Sequence, residues 1–218
     1  MSLVVVDDGF DFKVVLVDDR WVVRIPRRDQ VLPALEQEIM LLPVLESALP
    51  VAVPHFEHIS HDPSFVVYPL IDGTPLIDED PAGVRGFLES LHRVQTDVLP
   101  LLDPDERSRA QKLFAEVETL TGFDPCVTHS DLGAEHLLVR AGKLVGVIDW
   151  GDARLGDPAL DYSWLLHGPF PNWDVDPELR RRAHFYHRLA PFFSVHYGVF
   201  TNRPAYVEQA LATLSSRL

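Results

Sequence analysis

The sequence has few residues that could form covalent cross-links and no segment suited to crossing a membrane. Its 218 residues include one cysteine, Cys126, which excludes an internal disulfide and is expected to be a small core residue. No apolar run approaches the ~20 residues that a transmembrane helix requires. The segment MSLVVVDDGF has neither a basic stretch nor a small-residue cleavage site. We therefore expect a soluble, cytoplasmic protein.

Basic residues are also scarce. Lys and Arg number 19 against 33 Asp and Glu, and the formal net charge is −14. Because phosphate backbones are bound by clustered cations, this balance argues against a nucleic-acid partner. It favours a cationic small molecule only weakly, since an acidic surface more often serves solubility. A hydrophobic content of 46% is sufficient for one core or two small lobes. The sequence leaves the oligomeric state open.

β-Branched residues dominate the N-terminal third. LVVV, FKVVLV and RWVVRI predict strands, and Asp7-Asp8-Gly9 and Asp18-Asp19 predict the turns between them. This pattern is typical of an antiparallel meander. A further strand is predicted at SFVVYPL.

Between these strands the apolar period changes to that of a helix, in QVLPALEQEIMLLPVLESAL. Leu35, Leu42 and Leu45 share one face at offsets of seven and three, and Glu38 lies on that same face. A carboxylate on an inward face is costly unless a cation meets it. The sequence therefore predicts a buried cationic partner for Glu38.

The remainder of the chain is mostly helical in pattern. GVRGFLESLHRVQ, ERSRAQKLFAEVETL and residues 159–218 predict helices, and IDGTPL predicts a crossover between two lobes. HLLVR and LVGVID predict two strands of a hairpin that turns at Ala141-Gly142-Lys143. We expect an α+β protein with a small antiparallel lobe carrying one helix (1–70) and a mainly helical lobe carrying the hairpin (71–218).

The hairpin is expected to bring two acids together. Asp131 precedes the first strand, five residues before His136, and Asp149 ends the second strand. Because the strands are antiparallel, these positions fall at the same edge. Asp131 and Asp149 could instead be turn residues, and His136 a surface residue. Asp157 and Asp161 also fit helix caps, since each precedes an apolar run.

These motifs resemble a known family. THSDLGAEHLLV and GVIDWGDARLGDPALDY are similar to the catalytic loop and metal-binding segment of the aminoglycoside phosphotransferase and choline kinase superfamily. His136, where most members carry Asn, is most similar to the macrolide phosphotransferase branch. RWVVRIPRR, LEQEIMLLPVL and FLESLHRVQ also resemble segments of that family. The resemblance implies a two-lobed, protein-kinase-like fold.

The resemblance also implies roles for the catalytic loop. Asp131 would orient a substrate hydroxyl and accept its proton. Asp149 would hold Mg²⁺ against the nucleotide phosphates, and His136 would complete the coordination. His129 would brace the loop, and Asp161 would hold the loop's backbone amides.

The co-substrate implied by the resemblance is ATP or GTP. Arg24 takes the position of the phosphate-binding cation and Glu38 that of its acidic partner, although an ordinary salt bridge beneath the sheet would look the same. The loop over the phosphates offers one glycine, Gly9, where a glycine-rich cradle is usual. The hinge would receive the purine through backbone groups of Leu70 and Ile71.

A small-molecule hydroxyl is the expected acceptor. Fewer than ten residues separate Asp149 from the helix near Ala159, and Ser130 replaces the Arg that protein kinases carry beside the catalytic Asp. One acceptor pocket would consist of aromatic and acidic side chains, which could equally form a core cluster beside a solvated acidic loop. The residues concerned are Trp164, His167, Trp173, Asp174, Asp176 and Glu178.

Two other functions remain open at this stage. The first is a non-catalytic, kinase-like nucleotide-binding module, which the poor glycine loop favours. The second is a transition-metal hydrolase, although the spacing matches no common zinc signature. Its ligands would be His129, Asp131, His136 and Asp149.

Overall fold

The computed structural model of the chain describes residues 2–6, 9, 11–76, 81–91, 123–200 and 203–217. The predicted helix ERSRAQKLFAEVETL lies outside these ranges, as do Asp7 and Asp8 of the first predicted turn. Within them, a β-rich part that carries one helix precedes a mainly helical part that carries a hairpin, as the sequence predicts. The α+β class is therefore confirmed.

An antiparallel sheet forms the N-terminal part of the molecule. Its strands are β1 (Leu3–Val6), β2 (Phe12–Val17), β3 (Trp21–Pro26), β4 (His58–His61) and β5 (Ser64–Pro69). They lie in the order β1-β2-β3-β5-β4. Asp18 and Asp19, between β2 and β3, have φ values of 52° and 50°, which suit the twist of a tight hairpin. The polar sequence HISH gives no indication of β4, whereas the other four strands were predicted.

Helix α1 (Leu32–Ala48) covers one face of this sheet. Leu35, Leu42 and Leu45 are 2%, 2% and 0% exposed, as the helical period predicts. Glu38 is also 0% exposed, so the expected inward-facing carboxylate is confirmed. Pro33 fits the first turn, where no intrahelical N–H donor is needed.

Two smaller sheets lie in the second part of the chain. One contains β6 (Thr74–Pro75), β8 (Leu137–Arg140) and β9 (Lys143–Val147), and the other pairs β7 (Cys126–Thr128) with β10 (Arg154–Gly156). The β8–β9 hairpin turns at Ala141 and Gly142, with φ values of 52° and 73°.

The predicted strand limits around this hairpin were slightly wrong. His136 closes a short 3-10 turn (Ala134–His136) before β8 begins. Asp149 lies two residues beyond the end of β9, with a φ of 64°. A left-handed conformation cannot continue a strand, which is why β9 ends before Asp149.

Helices form the rest of the described structure. They are α2 (Pro81–Leu91), α3 (Ala159–Leu165), α4 (Pro177–Phe200) and α5 (Pro204–Arg217). Helix α4 packs against both α3 and α5. None of the helices in the described ranges is long and apolar enough to cross a bilayer.

The apolar interior forms two clusters, and each contains residues from a different half of α1. The smaller cluster joins the sheet to the first half of α1 through Phe12, Val31, Leu35 and Val66. The larger cluster joins the second half of α1, including Leu45, to α2, α3 and the hairpin. Trp150, directly after Asp149, is a fully buried member of this larger cluster.

Asp157 connects the start of α3 to α4. One of its oxygens accepts the Ala159 N–H at 2.9 Å, which confirms its predicted capping role. The other accepts Arg182 Nε at 2.8 Å and the Tyr186 hydroxyl at 3.2 Å. Asp157 and Arg182 are 2% and 9% exposed. This ion pair is therefore shielded from water, and each charge depends on the other.

We expect Asp157→Ala to lower the free energy of unfolding by about 3–5 kcal/mol, because it leaves the Arg182 guanidinium buried without its carboxylate. Urea unfolding followed by circular dichroism measures this loss. The control is Asp176→Ala, which removes an exposed cap whose oxygen accepts the N–H groups of Glu178 and Leu179. That cap is expected to contribute about 1 kcal/mol. Equal losses in the two variants would contradict a stabilising role for the buried pair.

Candidate active site

The loop between β7 and β8 is held by a buried carboxylate. Asp161, 0% exposed, accepts the backbone N–H of His129 at 3.2 Å and that of Ser130 at 2.8 Å. Ser130 has a φ of 71°, a conformation that costs a non-glycine residue free energy. The two hydrogen bonds stabilise this conformation directly before Asp131. Asp161 thus contacts the loop as the family resemblance implied.

His129 ties the same loop to the segment that carries Asp149. Its Nε2 lies 2.9 Å from the Ile148 carbonyl oxygen, so Nε2 carries the proton and donates. The ring packs on Trp150, with centroids 4.7 Å apart. His129 is fully buried, and burial lowers its pKa, which keeps the imidazole neutral. These contacts agree with the bracing role expected for His129.

His136 lies between the two acids that the hairpin was predicted to bring together. Its Nδ1 is 2.6 Å from the Asp131 carbonyl oxygen. Its Nε2 is 3.5 Å from Asp149 Oδ2. Because a carbonyl oxygen only accepts, Nδ1 carries a proton and donates it to this oxygen. Asp131, His136 and Asp149 therefore converge at one edge of the hairpin.

The carboxyl group of Asp131 is electrostatically unusual. Burial raises its pKa to about 6, and the acids Asp152, Asp149 and Glu135 act in the same direction, whereas His136 opposes them. A carboxylate with a pKa near neutrality accepts a proton more readily than an ordinary Asp. Asp152 was not recognised from the sequence as part of this site. Its position three residues after Asp149 was the available signal.

Arg24 supplies the cation that Glu38 was predicted to need. Its Nη1 and Nη2 donate to the two Glu38 oxygens at 2.7 and 3.0 Å. Nη2 also lies 3.6 Å from Asp149 Oδ1, so the same guanidinium approaches the second half of the site. Its Cζ lies 3.9 Å above the Phe12 ring. Arg24 thereby reaches from β3 to Glu38 on α1 and to Asp149 after β9.

The loop between β1 and β2 is held by two arginines. Arg27 Nε donates to the Gly9 carbonyl at 3.0 Å, and the Arg27 N–H donates to the Asp11 carbonyl at 2.9 Å. Arg28 forms an ion pair with Asp11. A Cβ at Gly9 would approach the Phe12 carbonyl oxygen to 2.9 Å, so a side chain there would force the backbone to shift. Arg28 thereby offsets the negative charge of Asp11 in this loop.

The connection after β5 differs in detail from the sequence expectation. The Leu70 N–H donates to the Arg20 carbonyl at 2.8 Å and extends the pairing of β3 with β5. This N–H is therefore not available to a purine. The prediction for a base contact at Leu70 and Ile71 therefore rests on the Leu70 carbonyl and on the backbone of Ile71.

The proposed acceptor-pocket residues have structural contacts. Trp173 packs against Phe170, with ring centroids 5.0 Å apart, and Arg85 lies 4.7 Å above it. Asp176 caps α4, and Glu178 pairs with Arg181 at 2.8 Å. The Trp164 ring packs edge to face against the His187 ring. The His167 ring stacks on the other ring of this pair, that of His187, with centroids 3.9 Å apart. The alternative of a core aromatic cluster beside an acidic loop therefore describes this segment better.

The residues present fit a divalent cation that is completed by another ligand. His136 Nε2 and an oxygen of Asp149 form a two-donor set. In the part of the chain that the structure describes, no group of three His, Cys, Asp or Glu residues could hold a metal. A metal hydrolase with a full protein ligand set gains no support from these residues. Mg²⁺-type sites, in contrast, often combine one or two protein ligands with substrate phosphates.

Comparison with known sequences gives a consistent family. The profile of the Phosphotransferase enzyme family matches residues 2–116 and 98–196. Uncharacterized protein YcbJ of Bacillus subtilis (strain 168) is 24% identical over 206 residues, which cover 72% of this chain and 67% of that protein. Viomycin phosphotransferase of Streptomyces vinaceus is 35% identical over 74 residues, which cover 32% of this chain and 26% of that protein.

Solved structures share the fold. The GDP and kanamycin complex of APH(2″)-IIIa has a TM-score of 0.79 and 23% identity, covering 99% of this chain and 92% of that one. The apoenzyme of macrolide 2′-phosphotransferase MphH from Brachybacterium faecium has a TM-score of 0.73 and 24% identity, covering 98% and 92%. The expected kinase-like architecture is confirmed.

The raised pKa of Asp131 predicts that this residue destabilises the protein at neutral pH. The folded state binds the proton more tightly than the unfolded chain, whose Asp pKa is about 3.9. Stability is therefore lost as the pH rises from about 4 to about 6. We expect Asp131→Asn to raise the free energy of unfolding at pH 7 by roughly 1–3 kcal/mol, and by much less at pH 4.

Urea unfolding of the wild type and variant at both pH values measures this difference. The control is Asp72→Asn, which alters an exposed pair with Arg140 and is expected to change stability by less than about 1 kcal/mol. An Asp131→Asn variant that is less stable than the wild type at pH 7 would contradict the electrostatic account.

Proposed function

The chain belongs to the Phosphotransferase enzyme family, and we propose from this premise that it transfers the γ-phosphoryl group of ATP or GTP to a small-molecule hydroxyl. The observation that carries the proposal is the convergence of Asp131, His136 and Asp149 at the hairpin edge, opposite Arg24. Phosphoryl transfer depends mainly on positioning and on neutralising charge, and these side chains are suited to both tasks. The γ-phosphoryl acceptor would lie beside Asp131.

Asp131 would orient the acceptor hydroxyl and take its proton on a carboxylate oxygen. Its pKa of about 6 supports this role, because a base poised near the working pH is both largely deprotonated and adequately basic. Asp161 and His129 act as positioning residues, since their contacts are with the loop backbone and with Ile148. The loop would therefore keep its shape before and after proton transfer.

The nucleotide would lie between the sheet and the hairpin. Arg24 would contact its phosphates while remaining bound to Glu38, and the loop around Gly9 would cover them. Ile71 would meet the base. Asp149 and His136 would hold Mg²⁺, which when bound neutralises charge on the phosphates. We further propose that residues 1–70 and 71–218 act as the two lobes around this cleft, and that the protein works in the cytoplasm, where its nucleotide is found.

The acceptor is proposed to be cationic. Asp131, Asp152 and Glu135 form an acidic surround at the point where the hydroxyl would bind. Carboxylates around the bound acceptor favour an amine-bearing molecule over an anionic one. One relative is named as a viomycin phosphotransferase, and one structural neighbour was solved with kanamycin. The net charge of −14 acts in the same direction.

A non-catalytic nucleotide-binding module is the alternative, favoured by the single glycine of the phosphate loop. The two functions differ in what happens after binding. A phosphotransferase consumes nucleotide in an acceptor-dependent way that requires Asp131, whereas a binding module does not consume it.

We expect ATP or GTP with Mg²⁺ at about 100 times its Kd to stabilise the protein by about 2.7 kcal/mol in a thermal-shift assay. Coupled turnover on amino sugars, macrolides and amino alcohols is then expected to identify an acceptor. Asp131→Ala should lower kcat about 10²–10⁴-fold with little change in nucleotide affinity, because the general base acts after binding. Binding without turnover on any of these hydroxyl compounds would favour the alternative module.

We expect Asp149→Asn to abolish the effect of Mg²⁺ on nucleotide binding, because the amide has lost the charge that attracts the cation. The measurement is the nucleotide-induced thermal shift with and without Mg²⁺. Asp72→Asn, which changes an exposed carboxylate far from the hairpin edge in charge alone, is the matched control and should keep the metal dependence. A normal Mg²⁺ effect in Asp149→Asn would contradict the assigned metal position.

A further inference from the structure

The face of the five-stranded sheet that points away from α1 is apolar. Side chains alternate between the two faces of a strand, and Phe12 and Val66 lie on the face that packs against Leu35 of α1. The strand registers place the residues of the opposite face in two rows across β1, β2, β3 and β5. We call this surface the outer apolar face. Its rows are Leu3, Val17, Trp21 and Pro69, and Val5, Val15, Val23 and Val67.

These eight residues lie outside the apolar interior. When one face of an antiparallel sheet packs on the core, the other face usually carries polar residues. Leu3 and Val5 are 58% and 53% exposed, Pro69 is also exposed, and the other five are half-buried. Neither of the two apolar clusters found among the described residues includes any of the eight. A contiguous apolar surface of this kind marks an interaction site.

The size of the outer apolar face suits a modest protein–protein interface. Neighbouring strands lie about 4.8 Å apart, and a strand rises about 3.4 Å per residue. Two such faces packed together would bury on the order of 1,000 Å² in total, which is the lower end of the range for specific interfaces. Trp21 lies in one of the rows, and tryptophan often contributes a large part of the binding energy at an interface.

The charges at the two ends of this face indicate what its partner is. Lys13 lies at the start of β2, whereas Asp18 and Asp19 follow the end of this strand, where Arg20 offsets only one of the two acids. A two-fold axis between two such faces, perpendicular to the strands, would bring the Lys13 end of each copy to the Asp18–Asp19 end of the other. The outer apolar face is therefore complementary to itself in charge as well as in its apolar rows.

We propose that the outer apolar face binds the same face of a second copy of this chain, which gives a two-fold symmetric dimer of stacked sheets. Such sheets pack about 10 Å apart, with their strand directions within about 30° of each other. Arg24 and Glu38 lie on the opposite side of the sheet, where they meet each other below it. The dimer therefore leaves the candidate active site uncovered and does not depend on the proposed function.

Sedimentation equilibrium of the full-length protein over about 1–300 µM measures the dissociation constant of this dimer. The wild type is expected to dimerise with a micromolar Kd. Val5→Glu is expected to raise this Kd about tenfold or more, because it places a carboxylate in an apolar row. Val4→Glu is the matched control, since Val4 lies on the same strand, is 48% exposed and points to the other face. This variant should keep the wild-type Kd.

A charge exchange tests whether the partner is a second copy. Lys13→Glu and Asp19→Lys each bring like charges together at the ends of the interface, so each variant alone should dimerise about fivefold more weakly than the wild type. In an equal mixture, the introduced carboxylate of one variant meets the introduced ammonium of the other. The mixture should therefore form a heterodimer with close to wild-type affinity. Urea unfolding of each variant checks that it is folded.

A wild type that remains monomeric over the whole concentration range overturns the proposal, because another partner or another part of the chain then covers the face. Equal weakening by Val4→Glu and Val5→Glu also overturns it, since this result indicates pairing through the edge of β1. A mixture of the charge variants that dimerises no better than each variant alone contradicts the self-complementary arrangement and overturns the proposal as well.

Discussion

Asp149 lies between a guanidinium from the sheet and an imidazole from the segment that joins β7 to β8, and the geometry of the candidate site depends on these two contacts. Arg24 approaches one carboxylate oxygen and His136 the other. Arg24 is itself fixed by the bidentate pair with Glu38, which no water reaches. A displacement of α1 would therefore move the cation in front of Asp149, because Glu38 and Arg24 are bound as one unit.

The backbone around this carboxylate is strained, and the strain is balanced by buried contacts. Ser130 and Asp149 both have left-handed φ values, which cost about 1–3 kcal/mol each. On one side, Asp161 binds two loop amides. On the other, Trp150 fills the core directly after Asp149 and donates its indole N–H to the Val147 carbonyl at 3.1 Å. Strongly held neighbours on both sides are what allow the two residues to stay in these conformations.

Much of this arrangement could be predicted from the sequence. The helical period of the apolar residues predicted the buried face of α1, because positions three or four residues apart lie on the same side of a helix. It also predicted that the Glu38 carboxylate lies on that buried face. The predicted hairpin also placed Asp131 near Asp149, because the start of one antiparallel strand lies beside the end of the next. These are consequences of local pattern.

Other features depend on contacts that no local pattern encodes. The Leu70 N–H is occupied because Arg20 happens to lie opposite it in the ladder. The effect of Asp152 on Asp131 depends on how the segment after Asp149 turns back towards the loop. The aromatic and acidic residues after Asp161 suggested a pocket, but Trp173 and Asp176 were needed for packing and for capping α4. Strand β4 could not be predicted from its polar sequence, because it is stabilised by pairing with β5.

Helix α1 belongs to both apolar clusters, with Leu35 in the smaller and Leu45 in the larger. It therefore connects the two clusters. A relative motion of the sheet and the hairpin would leave the second half of α1 in the larger cluster, so the sheet would have to slide over the first turns of the helix. Such a shear is restricted to small displacements by close packing. Such a shift between the sheet and the hairpin is thus expected to be limited to about 1–2 Å.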